Sequence, residues 1–341
     1  MAAGAGTAGI RSAISGWGTA LPDARLTNAD LERMVDTTDD WILERTGIRE
    51  RRMAGAGETT ATLAVAAGAA AIKHASLTPG DIDLLILATT TPEQPVPHTS
   101  AIVQAGLGVG GAAFDIANGC SGFVYSLVVG ALVQQTGGFD AVLVVGAETL
   151  TRTIVDFSDR GTCVLFGDGA AAVVLRPVAG DGGPGLLAWD LGCDGSGAEL
   201  IEVRAGGSRL PASAATLAAG EQWVKMDGPE VFRRAVRVMA DSASIALGRA
   251  GMTVDDVDLL VPHQANGRIV DATARRLGIP PARTAKNVDR YGNTSAASVP
   301  LALAEAADGG RLRPGDVVLM TAVGAGLGWG SAVLRWGGAP G

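Results

Sequence analysis

Apolar residues fall along this chain in short unbroken runs, separated by longer amphipathic or alanine-rich stretches. That is the pattern of strands buried on both faces with helices packed over them. Residues 84–88, 112–116, 141–145, 259–261 and 317–322 read as strands, with 112–116 a buried one. Residues 59–74, 121–134, 229–247, 266–277 and a stretch from Ser295 through Ala304 read as helices. The alternation predicts an α/β fold whose sheets are covered on both sides. Residues 178–185 read as a turn, and 206–222, rich in Ala, Ser and Gly, as a long surface loop or flap.

The pattern repeats. Thr78-Pro79-Gly80-Asp81-Ile82-Asp83-Leu84-Leu85 resembles Thr253-Val254-Asp255-Asp256-Val257-Asp258-Leu259-Leu260, at an offset of 175 residues. Asp140-Ala141-Val142-Leu143-Val144-Val145-Gly146 resembles Asp316-Val317-Val318-Leu319-Met320-Thr321-Ala322, at an offset of 176. Two matches at nearly one offset predict a duplicated unit, with halves at 1–178 and 179–341.

Composition narrows the function classes. With 47% apolar and 18% charged residues the 341-residue chain is globular and can bury a large core. Its 27 basic residues against 35 acidic ones give a net charge of −8, which speaks against a general nucleic-acid surface. Cys120, Cys163 and Cys193 have neither metal-ligand spacing nor an even count for a disulfide framework. The histidines are His74, His98 and His263, too few for a multi-histidine metal site. Met1–Gly6 lacks a secretory leader pattern, and no apolar helix reaches the roughly 20 residues that cross a bilayer. A cytoplasmic location without membrane association is the expectation.

Four motifs carry chemistry. In Phe114-Asp115-Ile116-Ala117-Asn118-Gly119-Cys120-Ser121-Gly122, Cys120 sits where a strand meets a helix. Unpaired N–H groups and the helix dipole there favour a thiolate, although a buried cysteine also serves as a small hydrophobe. In Val261-Pro262-His263-Gln264-Ala265-Asn266, His263 closes the strand that the repeat pairs with residues 84–88. Open α/β sheets present ligand-binding residues at such strand ends. Tyr291-Gly292-Asn293-Thr294-Ser295 suits a sharp turn, and Gly324-Ala325-Gly326-Leu327-Gly328 allows backbone N–H groups to approach a ligand.

With these motifs in order, the chain resembles β-ketoacyl-acyl-carrier-protein synthase III of the thiolase superfamily, from about Ser15 to Trp336. Asp40-Trp41-Ile42, Arg45-Thr46-Gly47-Ile48-Arg49, Asp159-Arg160-Gly161-Thr162 and Phe166-Gly167-Asp168-Gly169-Ala170 belong to the same likeness. The resemblance implies a five-layered α-β-α-β-α fold and a homodimer. It implies a decarboxylative condensation of an acyl-CoA with malonyl-acyl-carrier protein, starting a fatty-acid chain or, the favoured reading, an aromatic polyketide with an unusual starter. Cys120 would accept the acyl group, and His263 and Asn293 would bond the malonyl thioester carbonyl. The backbone N–H groups of Cys120 and Ala325 would form an oxyanion hole. Trp41, Arg45, Arg160 and Arg268 would contact coenzyme A or phosphopantetheine, and Arg233, Arg268, Arg275 and Arg276 would face an acidic carrier protein. Acyl-CoA and malonyl-carrier protein are substrates in this scheme, which needs no metal or redox cofactor.

Departures from the family pattern bear on the substrate. Val96 and Val323 stand where the family often has aromatic residues, Pro229 replaces a polar residue and Ala325 a glycine. Smaller side chains at Val96 and Val323 predict an acyl pocket open to branched or longer starters. Four alternatives remain at this stage: a non-decarboxylating acyltransferase, a catalytically silent partner subunit, a cysteine hydrolase, and a hydroxymethylglutaryl-CoA synthase. The last needs a carboxylate base near Thr91, where Glu93 is the nearest acid.

Overall fold

The computed structural model describes residues 10–180 and 182–338; Met1–Gly6 and residue 181 of the expected 178–185 turn lie outside them. One main sheet holds β1 (Ile10–Ala20), β2 (Leu84–Ala88), β3 (Ala112–Ile116), β4 (Val142–Glu148) and β5 (Gly169–Ala179). The other holds β6 (Gly185–Cys193), β7 (Leu259–Pro262), β8 (Val317–Gly324) and β9 (Gly328–Arg335). The helices that matter here are α1 (Asp39–Thr46), α2 (Thr60–His74), α3 (Thr99–Leu107), α4 (Gly122–Gln135), α5 (Gly228–Arg249), α6 (Gly267–Leu277) and α7 (Ser298–Asp308).

The sheets share one pairing scheme. In the first, β2 runs parallel to β4, β4 antiparallel to β5, and β5 antiparallel to β1. In the second, β7 runs parallel to β8, β8 antiparallel to β9, and β9 antiparallel to β6. The repeated octapeptides build the same entry into each sheet. Thr78 and Asp81 form a capping box, with the Thr78 N–H 2.7 Å from Asp81 Oδ2, and Thr253 and Asp256 reproduce it at the same distance. Asp83 then accepts the Ala141 N–H at 3.0 Å, as Asp258 accepts that of Val317 at 2.8 Å, tying each first strand to the start of its neighbour.

Apart from the edge strand β3, the central strands are buried on both faces, which is why they read as continuous apolar runs. Leu85, Leu87 and Leu143 pack outward under α2 and α3. Ile86 and Val144 point inward, where Phe123, Leu127, Val299 and Leu303 of α4 and α7 join Val318 and Met320 of the second sheet. Leu260 and Leu319 pack outward under α5 and α6. The result is five layers, helices–sheet–helices–sheet–helices.

Three expectations are corrected. Strand β3 is not buried: it is the open edge of its sheet, paired on one side only, with Phe114 36% exposed. The strand read at 141–145 continues to Glu148, carrying a carboxylate into the interior. The helix expected from Ser295 begins at Ser298, because residues 295–297 form a tight turn in which Ser295 has φ +46°.

Alanine-rich α2 lets β1 lie directly on its backbone: a Cβ at Gly18 would sit 2.4 Å from Ala71 N. Gly18→Ala is therefore expected to destabilise the protein by about 1–3 kcal/mol in urea unfolding. Gly248→Ala is the contrasting case, on the exposed side of α5 with no neighbouring atom within 4 Å. It is expected to stabilise by about 0.4–1 kcal/mol, by restricting the unfolded chain.

Candidate active site

After β3 the chain makes one tight turn, Gly119–Ser121, before α4 begins. Gly119 takes φ +55°, and a Cβ there would lie 2.8 Å from Ala325 N. A Cβ on Gly324 would lie 2.5 Å from Cys120 N. Only glycine permits these two backbones to touch, and their contact sets the Cys120 and Ala325 N–H groups side by side. The Ser121 hydroxyl, 3.1 Å from the Gly328 carbonyl oxygen and 2.9 Å from that of Asn118, fastens the turn to β9.

The structure revises the expected thiolate. Burial pushes the Cys120 thiol up to about 12, and the Glu148 charge adds to the rise, while a hydrogen bond from Ser295 opposes it. The helix start does not by itself supply the nucleophile in ionised form.

His263 follows β7 with its N–H bonded to the Thr321 carbonyl at 2.8 Å, and its side chain is 1% exposed. Burial pushes its pKa down to about 3, so the imidazole is neutral. Its Nδ1 lies 2.6 Å from Ser298 Oγ, which also accepts the Gln264 N–H at 3.3 Å. In the tautomer in which the serine hydroxyl donates to Nδ1, the imidazole proton is on Nε2. Asn293 is pinned by backbone bonds to Leu165 and Gly167. Its Oδ1 accepts the Ser295 N–H at 2.8 Å, so the amide Nδ2 is the end left to donate.

Cys120, His263 and Asn293, from three separate strand ends or turns, line one cavity of about 1000 Å³ together with Val323 and Ala325. Most of its remaining wall is apolar, including Leu150, Ile154, Phe166, Val224 and Phe232. At the mouth stand Trp41, Arg45, Arg233 and Arg268. The Arg45 and Arg160 guanidinium carbons lie 4.8 and 4.6 Å from the Trp41 ring centre, and that of Arg268 lies 5.6 Å from the Phe232 ring. Arg160 stacks on Trp41 but is not itself in the cavity wall.

Other candidates fall elsewhere. Val96 is 82% exposed and lines no part of this chain's cavity, because it lies in the loop before α3 near the open β3 edge. Arg275 and Arg276 are exposed on α6 away from the cavity, with Arg276 paired to Asp241 at 3.2 Å; Arg233 is paired to Glu230. Glu93 also stays out of the cavity, accepting the Ala61 N–H at 2.6 Å, and Thr91 is buried. Sequence reading passed over Ser298, which hydrogen-bonds His263 Nδ1, and Glu148, a fully buried acid at the end of β4 whose Oε1 accepts the Ala296 N–H. The available signals were a second serine three residues after Ser295 and an acid closing an apolar strand.

Because native His263 resists protonation while the unfolded imidazole titrates near 6.5, stability falls as pH drops from about 6.5 toward about 3. The expected loss is about 1.4 kcal/mol per pH unit in that window, with no effect above it. Urea unfolding at several pH values should show that slope, and His263→Asn should lack it.

Two family models match the chain: 3-oxoacyl-[acyl-carrier-protein (ACP)] synthase III over residues 114–195, and the C-terminal portion of that family over 247–336. A β-ketoacyl-[acyl-carrier-protein] synthase III of Roseiflexus castenholzii is 54% identical over 95% of this chain and 98% of that relative. Among solved structures, 3-oxoacyl-[acyl-carrier-protein] synthase III from Aquifex aeolicus VF5 is 44% identical, with a TM-score of 0.87 over 95% of this chain and 100% of that one. The priming β-ketosynthase of the R1128 polyketide pathway is 35% identical, with a TM-score of 0.89 over 97% of each chain. The half-buried cysteine, neutral histidine and asparagine lining this cavity therefore sit in a member of the β-ketoacyl-acyl-carrier-protein synthase III family.

Proposed function

We propose that this chain is a cytoplasmic acyltransferase of the thiolase fold that condenses an acyl-CoA with malonyl-acyl-carrier protein and so starts a fatty-acid or polyketide chain. The observation that carries the reading is the convergence of one thiol and two neutral N–H donors on an apolar cavity. The acyl group passes to Cys120 Sγ. Malonyl thioester then loses carbon dioxide, and the negative charge moves to its carbonyl oxygen, which His263 Nε2 and Asn293 Nδ2 stabilise as donors. A neutral imidazole suits that role, since an imidazolium would protonate the enolate it stabilises. The carbanion attacks the acyl-Cys120 carbonyl, whose oxygen is held by the N–H groups of Cys120 and Ala325. Both acyl donors are substrates, and the chemistry calls for no cofactor.

Trp41 with Arg45 and Arg160 offers stacking and charge for a nucleotide end, and Arg268 lies where a phosphopantetheine arm would enter. Arg268 and Arg275 contribute most to a basic face for an acidic carrier, since carboxylates already neutralise Arg233 and Arg276. The open β3 edge, with Phe114, Ile102 and Val96 exposed around it, is the surface we assign to a homodimer. An acyl-pocket role for Val96 then belongs to the partner's cavity.

Cys120→Ala is expected to abolish the acyl adduct seen by intact mass and all β-ketoacyl product. Val323→Phe, which fills the wall beside the nucleophile, is expected to lower kcat/KM for hexanoyl-CoA relative to acetyl-CoA by about tenfold or more. A strong preference of the unsubstituted protein for acetyl-CoA over isobutyryl- and hexanoyl-CoA would overturn the enlarged-pocket reading. Phe114→Lys is expected to shift the protein from dimer to monomer in sedimentation.

A further inference from the structure

Arg51 is the largest side chain buried completely among the described residues, and it carries a charge. It lies in the short strand Glu50–Arg52, paired antiparallel with Arg25–Thr27. Its Nη1 donates to Asn28 Oδ1 at 2.8 Å and to the Leu26 carbonyl at 3.1 Å, and its Nη2 donates to the Val164 carbonyl at 2.7 Å. No carboxylate lies within ion-pair distance of it among the described residues. Burial lowers its pKa to about 10, so the guanidinium stays charged at neutral pH. Burying a cation away from any counter-ion is costly, and here three oxygens from two separate segments offset that cost.

One of those segments grips Asn293. Val164 opens the stretch Val164–Gly167, in which the Leu165 carbonyl accepts the Asn293 N–H at 2.8 Å and the Gly167 N–H donates to the Asn293 carbonyl at 3.0 Å. The stem of Arg51 stands behind the same pairing. A Cβ at Gly167 would lie 3.1 Å from Arg51 Cβ, and one at Gly292, which has φ +65° and precedes Asn293, would lie 3.2 Å from it. At the other end Asn28 anchors the guanidinium. The Asn28 Nδ2 donates to Asp39 Oδ1 at 2.7 Å and to the Ile48 carbonyl at 2.8 Å, so the anchor is tied to α1 by bonds that do not pass through Arg51.

We infer that Arg51 is a positioning residue for Asn293: its guanidinium holds the Val164 carbonyl and, through Val164–Gly167, fixes where the Asn293 amide stands in the cavity wall. The inference rests on the condensing-enzyme reading above, in which Asn293 Nδ2 stabilises the enolate oxygen of the malonyl thioester. Arg51 itself does not line the cavity. It acts through the placement of a donor, and a donor displaced from a developing oxyanion loses most of its effect. Acylation of Cys120 makes no use of the Asn293 amide. The Cys120 turn is fastened by Gly119, Gly324 and the Ser121 hydroxyl, and none of the hydrogen bonds of Arg51 reaches them. Arg51 therefore serves the condensation half-reaction and not the acylation that precedes it.

The test separates the two half-reactions in the full chain. Single-turnover acylation by acetyl-CoA, whose short acyl group is the least sensitive to the outer cavity wall, is read as the Cys120 adduct after rapid quench. Condensation is then started by adding malonyl-carrier protein to pre-acylated protein. Arg51→Lys keeps the charge but cannot span acceptors on two sides as a guanidinium does. It is expected to slow condensation by about 10- to 100-fold while acylation stays within about threefold of the original rate. The loss should fall on kcat and leave KM for malonyl-carrier protein unchanged, because the amide acts on charge that develops only in the transition state. Asn293→Ala is expected to slow condensation as well, and Arg51→Lys added to it should slow the reaction no further. Arg51→Gln is the second variant and decides alone if Arg51→Lys does not fold. Condensation at the original rate overturns the inference, as does an equal slowing of both half-reactions, or a slowing by Arg51→Lys that persists in full on Asn293→Ala. Loss of the fold in both variants assigns Arg51 to the fold alone and also overturns it. Failure of the unsubstituted protein to form a Cys120 adduct with any acyl-CoA overturns the condensing reading itself, and the inference with it.

Discussion

Two glycines hold this site together. Gly119 and Gly324 bring the turn carrying Cys120 onto the turn after β8, leaving no room for a side chain at either position. That contact brings the turn after β3 onto the end of β8, with Cys120, Val323 and Ala325 lining one cavity. A methyl group at either glycine would force the two backbones apart.

The five layers supply the rigidity that this contact needs. With the central strands of each sheet buried on both faces, α4 and α7 are gripped between two sheets and cannot slide without opening voids. The turn of Cys120 leads into the first of these helices, and the Asn293–Ser295 turn leads into the second. Ser298, the first residue of α7, also fixes His263. One buried helix pair thus aligns thiol, imidazole and amide, although they lie far apart in sequence.

Much of this was legible. The capping boxes of Thr78 and Thr253, with Asp83 and Asp258 behind them, show in the sequence as a repeat because each is a local device whose residues lie within a few positions. Cys120 and His263 were legible as candidates because they sit at strand ends, while the Asn293 motif by itself reads as a turn and cap and stands out only through the family resemblance. The rest depends on what the chain does at a distance. The pKa of Cys120 is a consequence of burial, which no local pattern reports. Glu148 reads as the polar end of an apolar run, and its enclosure appears only when Thr89–Thr91 and the Ala296 N–H close over it. Val96 matches a pocket position in sequence yet stands in solvent, since the loop before α3 carries it outside the cavity.

A largely apolar cavity wall favours the transition state of this reaction and penalises ionisation of its thiol by the same physics. Low polarity strengthens N–H donors against a developing oxyanion. It also raises the thiol and holds the imidazole neutral, as at Cys120 and His263. A lysine or imidazolium placed to ionise the thiol would solve the first problem and create another, because it would quench the enolate in the next step.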